Sequence, residues 1–287
     1  MEDHNEPLFM EVLISTYGED GIRRLASGKH PRVDGVRYLV SWQTDGGCPI
    51  PNELQRTDFK IIKTDTKGLS INRNNAISHA EAPVLLIGDD DVEYSQEGLL
   101  NVVDSFERNR DCDIITFRYV SSYNEKFFPD APCSLNTPPK GYFVSSIEIA
   151  FRKDSVKGKI WFNENFGIGA MFPSGEEDIF LHDCLDRGLK GQFLPLTIAR
   201  HDDPTTSERN LMLPSRPQTK GAVFMRLHPY SWPLRMIAHA LREIPLWMKG
   251  ITPNPVSYCH NWIKGAAKAT KYKVFNTQDS RKRKCQE

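Results

Sequence analysis

Asp89, Asp90 and Asp91 stand consecutively, behind Gly88 and the run Val84, Leu85, Leu86, Ile87, which is apolar at every position. Neighbouring carboxylates raise one another's pKa and burial adds to the cost, so a divalent cation is the simplest compensation. Aspartates that leave coordination places to water and phosphate suit Mg²⁺ or Mn²⁺, and the ligand implied is a phosphorylated small molecule. A solvated acidic turn capping the next helix is the competing reading, and the all-apolar strand in front favours the cation. A second acidic run, Glu176, Glu177 and Asp178, opens a segment with helical spacing. Carboxylates there complement the helix dipole.

Such groups need a frame to hold them. The first two hundred residues alternate short β-branched or aromatic runs with polar turns and helical spacing, the pattern of an α/β fold. Strands are expected at 9–14, 37–42, 59–63, 84–87, 112–119, 142–151 and 192–198. Helices are expected at 22–26, at 69–79 with Ser70 as cap, and from Gln96 with Leu99, Leu100, Val103 and Phe106 on one face. A further helix is expected at 176–187, stopped by Gly188. The segment 84–87 suits a central strand buried on both faces, and ligands of open α/β sheets bind beyond the carboxyl ends of the strands, where the aspartates fall. Residues 121–140 read as an irregular loop. Beyond Pro214, Trp232, Leu234, Ile237, Leu241, Ile244 and Met248 recur at helical spacing, with Arg235, His239, Arg242 and Lys249 on the other side. Pro245 should kink that helix, and Arg281, Lys282, Arg283 and Lys284 are expected in a mobile basic tail.

Lys plus Arg equals Asp plus Glu at 37 each among 287 residues, so no nucleic-acid partner is expected. No apolar stretch approaches the roughly 18 residues of a spanning helix, and the acidic, polar start does not resemble a secretory leader. The six cysteines form no Cys-x-x-Cys pair, which speaks against a disulfide framework or zinc site and for a reducing, cytoplasmic setting. Charge is unevenly spread: residues 209–287 hold 15 of the basic and 3 of the acidic side chains. A basic amphipathic helix with Trp232 and Trp247 near its ends is what a protein resting on the inner face of an anionic membrane would present. Packing of its apolar face on the preceding domain is the other reading, and both stay open.

Four segments, in order, resemble the metal-dependent inverting glycosyltransferases of family 2, whose fold is called GT-A. VLISTYGED (12–20) is similar to the opening strand and turn that hold the nucleotide base, and GLSINRNNA (68–76) to the Arg-Asn-bearing helix start. VLLIGDDDV (84–92) resembles the Asp-x-Asp strand end, and GEEDIFL (175–181) the helix start that supplies the catalytic base. The resemblance implies an α/β GT-A domain with a Rossmann-like mixed sheet over residues 1–210 and a helical, basic extension over 211–287. It implies a nucleotide-sugar donor, UDP-sugar foremost, a saccharide or lipid-linked acceptor, and a place in cell-surface polysaccharide synthesis. Asp91 would hold Mn²⁺ or Mg²⁺ against the diphosphate, with Asp89 near the ribose or metal and Asp90 able to serve instead. His201 would reach the metal or diphosphate. Asp178, with Glu177 next, would take the proton from the acceptor hydroxyl. Thr16, Tyr17 and Glu19 would meet the nucleotide, Arg73 would pair with phosphate or with Asp89, and 121–140 and 167–175 would line the acceptor side.

One departure concerns the base. The family carries an aspartate at the end of the second strand, where Ser41, Trp42 and Gln43 stand here; Gln43 offers a comparable hydrogen-bond pair. Rival readings are a nucleotidyltransferase, which would want a Gly-rich basic loop near residue 20 where only Gly18 and Gly21 occur, a phosphatase, whose nucleophilic aspartate is missing from Ser15-Thr16-Tyr17, and a binding protein that kept the fold and lost activity.

Overall fold

The computed structural model describes residues 9–122, 126–202 and 213–273, which divide into two units. The first takes residues 9–67, 71–160 and 183–202; the second takes 68–70, 161–182 and 213–273.

A single mixed sheet builds the first unit. Its strands are β1 (Met10–Tyr17), β2 (Val36–Gln43), β3 (Phe59–Thr64), β4 (Val84–Asp89), β5 (Glu93–Tyr94), β6 (Ile114–Val120), β7 (Cys133–Ser134), β8 (Ile149–Arg152) and β9 (Gly191–Arg200). They lie in the order β3-β2-β1-β4-β8-β6-β9-β5, with β7 beside β9. The first four are parallel, β8 runs antiparallel to both β4 and β6, and β9 is parallel to β6. The apolar run before the aspartates therefore sits mid-sheet, where both faces are covered and alternation gives way to continuous apolar residues. Val12, Ile14, Tyr38, Val40, Trp42 and Leu86 pack on one face with Ile22 and Leu25 of α1 (Gly18–Ser27) and Leu99, Val102 and Phe106 of α3 (Gln96–Arg108). Leu13, Leu39, Leu85 and Ile87 point to the other face and are buried as well. Each such side chain contributes about 1.5–3 kcal/mol by leaving water.

Several expectations need correction. The buried stripe of α3 is Leu99, Val102 and Phe106, while Leu100 is exposed. Ser95 caps the helix through Gly98 N at 3.0 Å, and that phase turns Leu100 outward. The expected strand 142–151 survives only as β8, because Ser145 N donates to Glu148 Oε1 at 3.0 Å and a tight 3₁₀ turn, Ser146–Glu148, interrupts it. The expected loop 121–140 contains β7, with residues 123–125 outside the described ones. Helix α2 (Leu69–His79) has the expected ends, yet Ser70 does not cap it; its hydroxyl donates to the Phe166 carbonyl at 2.6 Å. A short α4 (Lys153–Val156) follows β8.

In the second unit lie the start of α5 (Glu176–Asp186), α6 (Ser215–Leu227), α7 (Trp232–Met248) and α8 (Pro255–Lys271). Helices α6 and α8 touch backbone to backbone. A Cβ on Gly221 would lie 2.0 Å from the Trp262 carbonyl oxygen, and one on Gly265 would lie 1.8 Å from that of Gln218. Only glycine permits this approach. Phe166, Phe172, Ile179, Ala222, Val223 and Ala269 form one core cluster of this unit, and Ala240, Tyr258 and Trp262 another. Helix α7 continues through Pro245 to Met248. Its apolar residues do not share one fate: Trp232 packs inward on the second cluster, whereas Leu234, Ile237, Leu241 and Met248 are exposed. The basic residues 281–284 lie outside the described ones. Among the described residues no helix is long and apolar enough to cross a membrane, and the five cysteines are free.

Candidate active site

The parallel register of β1 on β4 sets Ser15 beside Asp89, so the carboxyl ends of both strands open at one edge of the sheet. Each aspartate there meets a different partner. Asp89 accepts from Arg73 of α2 at 3.1 Å, and Ser146 Oγ, itself 2.9 Å from the Arg73 guanidinium, approaches its other oxygen at 3.5 Å. Asp90 accepts from Thr16 Oγ1 at 2.5 Å and from Arg24 Nε at 2.9 Å. Burial, with its two acidic neighbours, pushes Asp90 up to about 6 against the pull of Thr16 and Arg24. Asp91 faces His201, whose Nε2 stands 3.5 Å from Oδ1. Burial raises the Asp91 carboxyl, but the His201 ring, with Arg24 behind it, outweighs this and holds it below its ordinary value.

The meeting of Asp91 and His201 follows from a pairing too short to see in the sequence. Strand β5 runs antiparallel to the end of β9 with Glu93 opposite Arg200, which brings the residue after Arg200 back toward Asp91. His201 N also donates to the Val120 carbonyl at 2.9 Å, fixing that end of the chain.

Helix α2 shows why this corner is polar inside. Asn72 donates to the Thr16 carbonyl at 3.0 Å, Asn75 to Ser41 Oγ at 2.8 Å, and Arg73 is buried against Asp89. A helix whose polar side chains are consumed by strand ends has no clean amphipathic face. Gly21 supplies the room at α1: a Cβ there would lie 2.3 Å from Thr16 Oγ1 and 2.7 Å from Asp90 Oδ2. Ser146 is presented by the 3₁₀ turn, which a buried ion pair between Lys126 and Glu148 anchors, with Lys126 also donating to Ser145 Oγ at 3.1 Å. Gly21, Arg24, Asn72, Ser146 and the Lys126–Glu148 pair were beyond sequence reasoning, since only the fold makes them neighbours.

The other candidates stand as follows. Tyr17 ends β1 exposed, opposite Gln43 of β2. Gln43 is buried, and its amide donates to Thr66 Oγ1 at 3.2 Å. Glu19 is turned along α1 into an exposed ion pair with Arg23. Glu177 and Asp178 belong to the second unit, in the first turn of α5, where Glu176 is buried, Glu177 half-buried and Asp178 exposed.

A divalent cation is the group this fold implies, and the corner can be tested for it. Among the described residues no three His, Cys, Asp or Glu side chains form a closed metal cage. Two protein ligands suit an ion that completes its shell with phosphate and water. Asp91 and His201 supply such a pair: the buried Asp91 Oδ1 makes no closer hydrogen bond and faces His201 Nε2 at 3.5 Å, a loose contact that a cation held by both would replace. A contact from Asp89 would have to be shared with Arg73.

Residues 48–171 match the model of glycosyl transferase family 2. No curated protein matches the chain. Among solved structures, the chain is similar to S. aureus TarS. The crystal structure of TarS 1-349 gives a TM-score of 0.56 at 14% identity over 92% of this chain and 91% of that one. Its complex with UDP-GlcNAc gives 0.55 at 17% over 75% and 65%. A longer TarS structure gives 0.52 at 18% over 76% of this chain, which spans only 39% of that one. At these identities the likeness is one of fold, and it agrees with the GT-A architecture.

Proposed function

We propose that this protein is a family 2 glycosyltransferase that transfers a sugar from a UDP-sugar to a hydroxyl of a saccharide or lipid-linked acceptor, with inversion, in cytoplasmic synthesis of cell-surface polysaccharide; the match of residues 48–171 to that family's model supports it. The observation that carries the reading is the Asp91–His201 pair, with its buried carboxylate oxygen, at the carboxyl end of β4. TarS was crystallised in complex with UDP-GlcNAc and with UDP, which supports the choice of nucleotide.

Asp91 and His201 would bind Mn²⁺ or Mg²⁺, which as a Lewis acid neutralises the charge growing on the departing diphosphate. Arg73 and Ser146 fix Asp89 beside them, and Thr16 with Arg24 holds Asp90 out of competition for the ligand. Asp178, exposed at the start of α5, accepts the acceptor hydroxyl proton as that oxygen bonds to the anomeric carbon and the bond to the diphosphate breaks. Glu177 is the neighbour that would take this part if the register differs by one.

Incubation with a panel of nucleotide sugars and Mn²⁺, read as nucleotide release, tests the proposal. UDP released from at least one UDP-sugar is expected. Release of pyrophosphate from a nucleoside triphosphate and a sugar phosphate would assign nucleotidyl transfer instead, and silence with every donor would contradict the reading.

A further inference from the structure

Along α7 the side chains divide into three strips. Trp232, Met236 and Ala240 pack toward Tyr258 and Trp262. Leu234, Ile237, Leu241 and Met248, three to seven residues apart, are 72%, 52%, 61% and 76% exposed. Arg235, Arg242 and Lys249, each seven residues from the next, form an exposed basic edge beside them. The helix carries one carboxylate, Glu243, and it is buried, with Arg216 at 3.1 Å and Lys220 at 3.7 Å. What α7 shows outward is therefore apolar and cationic, with no acidic side chain. A helix that faced water alone would turn its polar strip out and its apolar strip in.

We propose that this exposed side of α7 is a docking surface for an anionic lipid bilayer. Leu234, Ile237, Leu241 and Met248 enter the boundary between headgroups and acyl chains, Arg235, Arg242 and Lys249 meet lipid phosphates, and Trp247, 45% exposed, sits at headgroup level. The charge pattern argues against a second copy of the chain as the occupant. A two-fold pairing through the apolar strip would lay two basic edges along one another with no carboxylate between them. The inference deepens the proposed function, because a lipid-linked acceptor presents its sugar at the same surface. It rests on the lipid-linked branch of that reading only for its purpose, not for its evidence.

Co-sedimentation of the full chain with phosphatidylcholine vesicles, with and without phosphatidylglycerol, tests it without donor or turnover. Failure here therefore leaves the donor reading untouched. Binding is expected to vesicles containing phosphatidylglycerol at low salt, to fall steeply at high salt, and to be weak on phosphatidylcholine alone. Two variants, Ile237→Asp with Leu241→Asp, and Arg235→Glu with Arg242→Glu and Lys249→Glu, should each weaken binding by about a hundredfold. Both should keep the melting midpoint and the UDP-dependent thermal shift of the parent, since every altered side chain is exposed. Parent protein that ignores phosphatidylglycerol vesicles, or variants that bind them equally well, would overturn the proposal. So would a solution dimer that Ile237→Asp with Leu241→Asp dissolves, which would give the strip to a second copy.

Discussion

Three consecutive carboxylates occur twice in this chain, and the fold sets them in different surroundings. Asp89, Asp90 and Asp91 follow a strand buried on both faces, and each is met by its own side chain: Arg73, Thr16 with Arg24, and His201. Glu176, Glu177 and Asp178 open a helix, where carboxylates complement the helix dipole, and burial falls stepwise from the first to the third. Carboxylates at the same spacing thus stand in two settings. At the strand end, each has its own side-chain partner. At the helix start, exposure sets Asp178 apart from the buried Glu176.

The comparison breaks most sharply at Asp91. Asp91→Ala should reduce transfer by about a thousandfold or more, matching the several kcal/mol that metal chemistry supplies, and should remove Mn²⁺-dependent nucleotide binding, read by calorimetry. Asp178→Asn should lower kcat by about a hundredfold to ten-thousandfold with nucleotide affinity intact. If Glu177→Gln shows that loss instead, the base lies one residue earlier. Gly21→Ala comes next. Glycine to alanine inside a helix ordinarily gains about 1 kcal/mol, but here the new methyl meets Thr16 and Asp90. A net destabilisation of about 1–3 kcal/mol is expected in denaturant melts, and a gain would show that the Thr16–Asp90 bond does not need that space. Glu19→Ala should change least, leaving both the melting midpoint and turnover where they were, since its partner Arg23 is equally exposed. A marked rise in KM for the donor would return Glu19 to the nucleotide site.

Much of this was legible because it is local. The run before Gly88 suited a central strand and the triplet behind it suited its carboxyl end, as found; α2 was bounded correctly because its helical spacing and flanking residues lie in one short window. What escaped notice depends on contacts far apart in sequence. Strand β5, two residues long, is the pairing that brings His201 to Asp91; the resemblance had named both residues, but not the strand that joins them. Ser146 reaches Asp89 through a turn that replaced half of an expected strand. The face of α7 shows a different limit: periodicity tells that a helix has an apolar strip, not whether protein covers it, and here Leu234, Ile237 and Leu241 are open while Trp232 is not. Helix α8 hid its packing in Gly265, a residue that reads as a helix weakness until the Gln218 carbonyl is seen beside it.

The central claim is that the strand-end corner grips a divalent cation together with a nucleoside diphosphate. Titration calorimetry of UDP into the protein, with Mn²⁺ and with chelator, for the parent and for Asp91→Ala, addresses it directly. Tight binding only in the parent with Mn²⁺ is the predicted result; equal binding with chelator, or in Asp91→Ala, would contradict it.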